Sequence, residues 1–452
     1  MDASFTGQLI RPGDPAYDAA RRVRNPRADR EPALIARCAD VTDVVAVVRY
    51  ARRAGLPIAV RGGGANVAGW GTCDGGVVID LSLMRRIEIA PESRMAIAEP
   101  GVTWGEFDAA TQRHGLALPG PRNPDVGIAG HTLGGGVGDI SRMYGLTSDN
   151  VVSFDLVTAA GERVRASATE NRDLFWGLRG GGGNFGVVTT FTYRLHPVAG
   201  VVAGPLLFPA ADAEDVLRRT RDWLATAPDA ASVVALVWTA PPLEFIPEPW
   251  QFERCVVLVP TWFGNPDRAE TVLDPLRRGA VSDRIRPMRY VDYQRLLPSP
   301  PNAHQQQVYN RGELLDELSD ATIASLLAQW RAAGPNFSLV FGALGGAISR
   351  APAGPTAFVH RHATWFVEVC AQWFGAPDSE PHLGPARRAW QSLADVSSGP
   401  YVNLLPDPEP EWVDRAYGPT AVAALADLKR QWDPGNVFRF NANVAPDLGV
   451  HR

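Results

Sequence analysis

The sequence predicts an α+β protein of two or three domains, and three observations carry that prediction. A chain of 452 residues is long enough to bury more than one core. Residues 31–200 alternate between helix and strand signals and grow unusually rich in glycine from residue 98 onward. Beyond Pro197-Val-Ala-Gly200 the texture changes: strand-like runs are separated by amphipathic helical stretches. That second pattern is the one an antiparallel sheet backed by helices produces.

In chain order, Thr42 or Asp43 is placed to cap a helix whose apolar positions Val44, Val47, Val48 and Ala51 recur at helical spacing. Gly55-Leu-Pro57 stops it, and Pro57-Ile-Ala-Val60 reads as a strand. A glycine loop, Arg61-Gly-Gly-Gly-Ala-Asn-Val-Ala-Gly69, leads to a second strand, Val77-Val-Ile-Asp80. Asn150–Thr158 and Val187–Leu195 are further strands. Strands are then expected at Ser232–Thr239, Arg254–Trp262, Ser338–Ile348 and Thr364–Trp373, with helices at Ala211–Thr226 and Asp320–Ala332. Leu297-Pro-Ser-Pro-Pro-Asn302 suits a surface loop. Val422, Leu425, Leu428 and Trp432 form one face of a helix over Ala421–Trp432, which Asp433-Pro-Gly-Asn436 ends.

Composition narrows the function. A charged content of 21% beside 45% hydrophobic residues is that of a soluble globular chain, and a net charge of −5 disfavours nucleic acid or an anionic membrane as partner. No apolar run is long enough to span a bilayer, and Met1-Asp-Ala-Ser-Phe-Thr-Gly-Gln lacks export features. The expected location is cytoplasmic. Cys38, Cys73, Cys255 and Cys370 are scattered without metal-ligand spacing, so they read as reduced thiols. His360 and His362 share a face but lack a third ligand, so no metal is expected. Lys429 is the only lysine.

Gly181-Gly-Gly-Asn-Phe-Gly186 satisfies the dinucleotide pattern GxGxxG, but a Rossmann site needs strand, glycines, helix. Here the order is helix (Asn171–Leu178), glycines, strand (Val187–Thr192), and a Rossmann site is rejected. Four blocks taken together are far more specific: Arg61–Gly69; Val126–Gly138 with the sequence VGIAGHTLGGGVG; Tyr144-Gly-Leu-Thr-Ser-Asp-Asn-Val151; and Asp173–Gly186. A fifth, Tyr401-Val-Asn403 followed by Asp433-Pro-Gly-Asn-Val-Phe-Arg-Phe-Asn441, lies near the C-terminus. In order and approximate spacing these resemble the berberine-bridge-type FAD-linked oxidoreductases, a branch of the vanillyl-alcohol-oxidase family. The likeness is weakest over residues 205–335.

The resemblance implies a two-subdomain FAD-binding domain of p-cresol-methylhydroxylase type over residues 1–203. A substrate domain with an antiparallel sheet backed by helices follows over 204–398, and a berberine-bridge-type segment over 399–452 returns to the FAD domain. FAD is the implied cofactor. Arg61, Gly62, Gly63, Gly64, Ala65, Asn66, Gly69 and Trp70 would form one wall of its site, and Val126, Gly127, Gly130, His131, Gly134, Gly135 and Gly138 another. Ser148, Asn150 and Val151 would lie near the ring, Gly186 and Val188 near the adenine, and Tyr401 and Asn403 would reach back to the isoalloxazine.

Two residues depart from the family pattern. Where relatives commonly carry a histidine bonded to the flavin this chain has Ala65, and where many carry a second tether, a cysteine, it has Ser148. Neither a methyl group nor an unactivated hydroxyl makes such a bond. Three explanations stay open on the sequence: a natural member holding FAD noncovalently, an engineered form with both tethers removed, or a fold retained for a cyclase or binding role without net redox turnover.

The implied reaction is oxidation of a small organic molecule (alcohol, hemiacetal or activated C–H) by hydride transfer to flavin N5. Tyr401 is the first candidate for the base, because its Tyr-x-Asn pair belongs to the returning tail; relatives with a further tyrosine three positions on differ here, at Leu404. Glu368 is the second: in Thr364–Trp373 one face is Trp365, Val367, Val369, Ala371 and Trp373, and the mixed face carries Phe366, Glu368 and Cys370. Val151 matches the position that accompanies oxidases, implying O2 as electron acceptor. Substrate identity and oligomeric state are not legible.

Overall fold

In the computed structural model the described residues are 5–198, 200–297, 305–350, 354–377, 379–406 and 409–447. They build three large sheets and a two-stranded one that pairs Leu116–Ala117 with His196–Pro197. The first has the order Gln8–Ile10, Leu34–Arg37, Val77–Asp80, Ile58–Arg61, with the last three strands mutually parallel. Its crossover helix, Val41–Arg53, buries Val44, Val47, Val48 and Ala51 as the periodicity requires. The cap, however, is Asp40, which accepts from the N–H groups of Thr42 and Asp43. Asp43 is unavailable because its carboxylate points inward and accepts from Thr6 N at 2.8 Å and Ala39 N at 2.9 Å.

The second sheet is antiparallel, ordered Ile87–Ala90, Met95–Ala98, Gly186–Arg194, Val151–Thr158, Arg163–Ser167. The glycine run 181–186 does follow a helix, Arg172–Leu178, and open a strand.

Residues 200–400 supply the third and largest sheet. Its central strands run in the order Leu206–Pro209, Arg254–Trp262, Ala231–Thr239, Phe337–Ala343, Trp365–Trp373, Gln307–Leu315, all neighbours antiparallel. Helices Ala213–Thr226, Asp320–Ala332 and Glu380–Ala394 cover one face, packing on Trp365, Val367, Val369, Ala371 and Trp373. The other face turns toward the first two sheets as a roof.

Two expectations are corrected here. The strand foreseen over Ser338–Ile348 ends at Ala343, because Gly345 and Gly346 adopt left-handed φ values of 79° and 59° and turn the chain. Gln307–Leu315, absent from the expected strands, is central. Its inward face holds Arg311 and Glu313, so the usual apolar alternation is replaced by a buried ion pair of 3.0 Å. The guanidinium lies between the rings of Trp390 and Trp412, and Glu313 also accepts from Trp390 Nε1 and Ser397 Oγ. The Pro-rich stretch 298–302 lies outside the described residues.

The C-terminal helix Pro410–Trp432 is broken at Gly418 (φ 71°, ψ 157°), the residue before Pro419, where helical backbone is disfavoured. Its second half carries Lys429, wholly buried, whose Nζ donates to Asn184 O (2.7 Å), Phe438 O (2.8 Å) and the Asp433 carboxylate (2.8 Å). This ties the tail to the glycine run.

Candidate active site

A cavity of about 560 Å³ lies between the three sheets. Its floor is main chain. Gly63 and Gly127 abut so closely that a Cβ on either would stand 2.5 Å from the other's backbone nitrogen, whereas a Cβ on Gly130 or Gly183 would meet nothing within 4 Å. Two glycine loops thus meet back to back and leave open space where side chains would otherwise project. Such a trough lets a flat or anionic group approach backbone N–H donors closely.

Arg61 through Asn66, Trp70, Val126, Gly127, Gly130, His131, Gly134, Gly138, Gly186 and Val188 all line the cavity, as do Glu368, Tyr401 and Asn403. Five expected residues do not. Gly69 closes a turn (φ 69°) against Ala28, and Gly135 packs under Phe358 while accepting Ser148 N. Ser148 is fully enclosed, with its Oγ unpartnered. Asn150 is spent bracing its own turn through Tyr144 O and Leu146 O, both at 2.9 Å. Val151 borders a separate cleft with Phe175 and Arg179, away from the cavity where an oxygen-approach role would place it.

The loop 61–69 is held from behind. Arg61 directs its guanidinium out of the cavity, to Asp80 (2.8 Å) and Ala20 O (2.7 Å). Burial pushes the Asp80 carboxyl up, but the charge of Arg61 and bonds to Arg61 and Ser82 outweigh it and hold the group below its ordinary range. Asn25, almost fully buried, bonds Val67 O (2.6 Å) and both backbone groups of Val308, the carbonyl at 3.0 Å and the N–H at 3.3 Å. It joins the glycine loop to the roof sheet. Asn25→Ala strands these groups and is expected to cost about 1–3 kcal/mol; a denaturant titration, with FAD affinity read by fluorescence in parallel, checks it. No motif marked Asn25 in the sequence. The same holds for Arg122 and Asp139, an ion pair of 3.0 Å at the cavity wall.

His131 braces its loop. Its ring nitrogens face Val137 O (3.2 Å) and Thr147 Oγ1 (3.4 Å), its edge meets Trp104, and burial pulls its pKa down to about 4. It is neutral at physiological pH. The Tyr401 hydroxyl accepts from Val137 N (3.3 Å) and Asn403 Nδ2 (3.0 Å), yet burial raises its pKa above the ordinary phenol value despite these donors. Asn403 also donates to His131 O at 3.0 Å. Glu368 differs. It faces the cavity half-buried, and burial pushes its carboxyl up to about 7 against opposing hydrogen bonds from Cys370 and Asn310. That is the range a general base working near neutrality needs. Both residues line the cavity, but the Tyr401 hydroxyl is already engaged by two donors whereas Glu368 presents a raised carboxyl. His360 is structural, its Nε2 bonded to Arg415 O and Ala416 O. No cluster of potential metal ligands occurs among the described residues.

The fold and this main-chain trough are those of an FAD-linked oxidoreductase. Residues 32–167 match the FAD binding domain family and residues 400–445 the berberine and berberine-like family. The chain is 32% identical to (R)-6-hydroxynicotine oxidase of Paenarthrobacter nicotinovorans and 30% identical to the uncharacterized FAD-linked oxidoreductase YvdP of Bacillus subtilis, covering 98% of both chains in each pair. It superposes on the crystal structure of 6-hydroxy-D-nicotine oxidase from Arthrobacter nicotinovorans with a TM-score of 0.88 at 30% identity, over 98% of this chain and 99% of that one. The chain belongs to the FAD-linked oxidoreductases with a berberine-type C-terminal segment, and FAD is its cofactor. No helix among the described residues is long and apolar enough to cross a membrane.

Proposed function

We propose that this protein is an oxidase of a small organic molecule (an alcohol, hemiacetal or activated C–H, in secondary-metabolite or sugar tailoring), using noncovalently held FAD that O2 reoxidises to give hydrogen peroxide. Residues 1–203 and 399–452 would hold the cofactor and 204–398 the substrate. The observation that carries this reading is a backbone-walled trough opening onto Glu368, a lining carboxylate that, unlike the Arg122-paired Asp139, has no ion pair among the described residues and is poised near neutrality. Bound FAD supplies the hydride acceptor, at flavin N5. Glu368 takes the proton that leaves the substrate's heteroatom, while Tyr401 and Asn403 hold the loop 131–138 in place. Kinship with an enzyme named as an oxidase supports O2 as acceptor.

Ala65 lines the cavity but offers no nucleophile, and Ser148 lies outside the lining. Acid precipitation of the yellow protein should therefore leave all the flavin in the supernatant; colour in the pellet would refute noncovalent binding. Anaerobic addition of the true substrate should bleach the visible flavin band. Turnover without bleaching would refute the oxidase.

A further inference from the structure

The roof above the cavity has an unusual polar inventory. At the end where Glu368 sits, Tyr401 and Asn403 are bonded to each other and to backbone, and Arg122 and Asp139 neutralise one another, with Tyr293 donating to Asp139 at 2.8 Å. Among the described residues no cation pairs with Glu368, whose side-chain partners are Cys370 and Asn310. The apolar lining there includes, among the described residues, Val234, Leu297, Val340, Ala343, Phe366 and Leu404.

Phe366 is held in a particular way. Register places Gly342 opposite Phe366 on one side and Gly312 opposite Glu368 on the other. The Phe366 ring leans across its neighbouring strand: a Cβ on Gly312 would stand 2.5 Å from Cε2 and 3.0 Å from Cζ. A Cβ on Gly342 would only touch the ring, 3.4 Å from Cδ1. Tyr401 meets it edge-on at 5.7 Å and 80°. Glycine at 312 is thus what permits this ring position, two residues along the strand from Glu368.

We infer that Phe366, seated on Gly312, is a specificity-determining residue, restricting the pocket to a small apolar ring that carries one N–H or O–H group beside the carbon oxidised. A ring of that kind packs against the Phe366 wall while its single donor meets Glu368. An oligosaccharide would bury several hydroxyls on Val234, Val340 and Leu404, and each left unpaired weakens binding about tenfold. This rests on the oxidase reading above. In the reaction the substrate C–H breaks and its hydrogen leaves with both electrons to the flavin. The N–H or O–H proton passes to Glu368, and the product is C=N or C=O.

The test uses the FAD-loaded protein without oxygen. Dissociation constants for N-methylbenzylamine, benzyl alcohol, cellobiose and xylobiose are read from perturbation of the flavin spectrum and from thermal shift. At least one benzyl probe should bind at least about tenfold more tightly than either disaccharide, and the tighter of the two identifies the heteroatom. Phe366→Ala and Gly312→Ala should each weaken that probe about tenfold, Gly342→Ala less than about threefold. Phe366→Leu, which keeps apolar bulk but removes the ring, serves if another variant does not take up FAD. Disaccharides binding as tightly as the benzyl probes, no benzyl binding, or affinity unchanged within twofold in the Phe366 and Gly312 variants would each overturn the inference. Bleaching by cellobiose would do so too while upholding the oxidase, whereas a protein that takes up no FAD fails the oxidase reading before any probe is added.

Discussion

Glu368→Gln should slow anaerobic flavin reduction about 10²–10⁴-fold, the usual contribution of a positioned general base. The substitution keeps the shape and the roof packing, so FAD uptake should be unchanged. The sign of the pH dependence follows from the carboxyl. Its pKa is pushed up to about 7, and only the ionised form accepts a proton. Wild-type reduction should therefore rise with pH through about 7 and level off above, and the glutamine variant should lose that step. Tyr401→Phe should cost far less, because the hydroxyl already accepts from Val137 N and Asn403 and burial keeps its proton on. Stopped-flow reduction with any substrate that bleaches the wild type decides it; a glutamine variant within threefold of wild type, with the pH step retained, would remove Glu368 from the reaction.

Lys429→Met should be the most destabilising single change outside the apolar core. Lys429 and Asp433 are both fully buried, and removing one partner of such a pair leaves the other charge uncompensated, a loss of about 3–5 kcal/mol. Asp433 retains bonds from Val437 N (2.8 Å) and Phe438 N (2.9 Å), which soften the loss without restoring the cation. The effect should reach the cofactor: Lys429 holds Asn184 O and Phe438 O, and Gly183 and Phe438 line the cavity. A lowered denaturant midpoint together with weakened FAD binding is the expected pair of results. A stable variant with normal FAD affinity would show the ion pair to be dispensable.

Much of the architecture was legible because it rests on local rules. Alternation in Thr364–Trp373 sorts Trp365, Val367, Val369, Ala371 and Trp373 to the helices and Phe366 and Glu368 to the cavity, and the folded strand keeps that split. Gln307–Leu315 escaped because Arg311 and Glu313 occupy its inward face, where a pattern search expects apolar residues. They are tolerated only because Trp390, Trp412 and Ser397 arrive from distant segments. Asn25 was invisible for the same reason: its partners Val67 and Val308 are remote in sequence and use only backbone groups.

The amino-acid order by itself determined the family and the cofactor. Backbone can approach a ligand or another backbone so closely only where glycine stands, and the spacing of those glycines is written in the chain. Tertiary structure alone decided which polar groups remain free to act. The sequence put Tyr401 ahead of Glu368 as a candidate base; packing engages the Tyr401 hydroxyl and raises the Glu368 carboxyl toward neutrality. A side chain's charge state depends on how much water its neighbours exclude and which donors they bring, and those neighbours come together only when the three sheets close on the cavity.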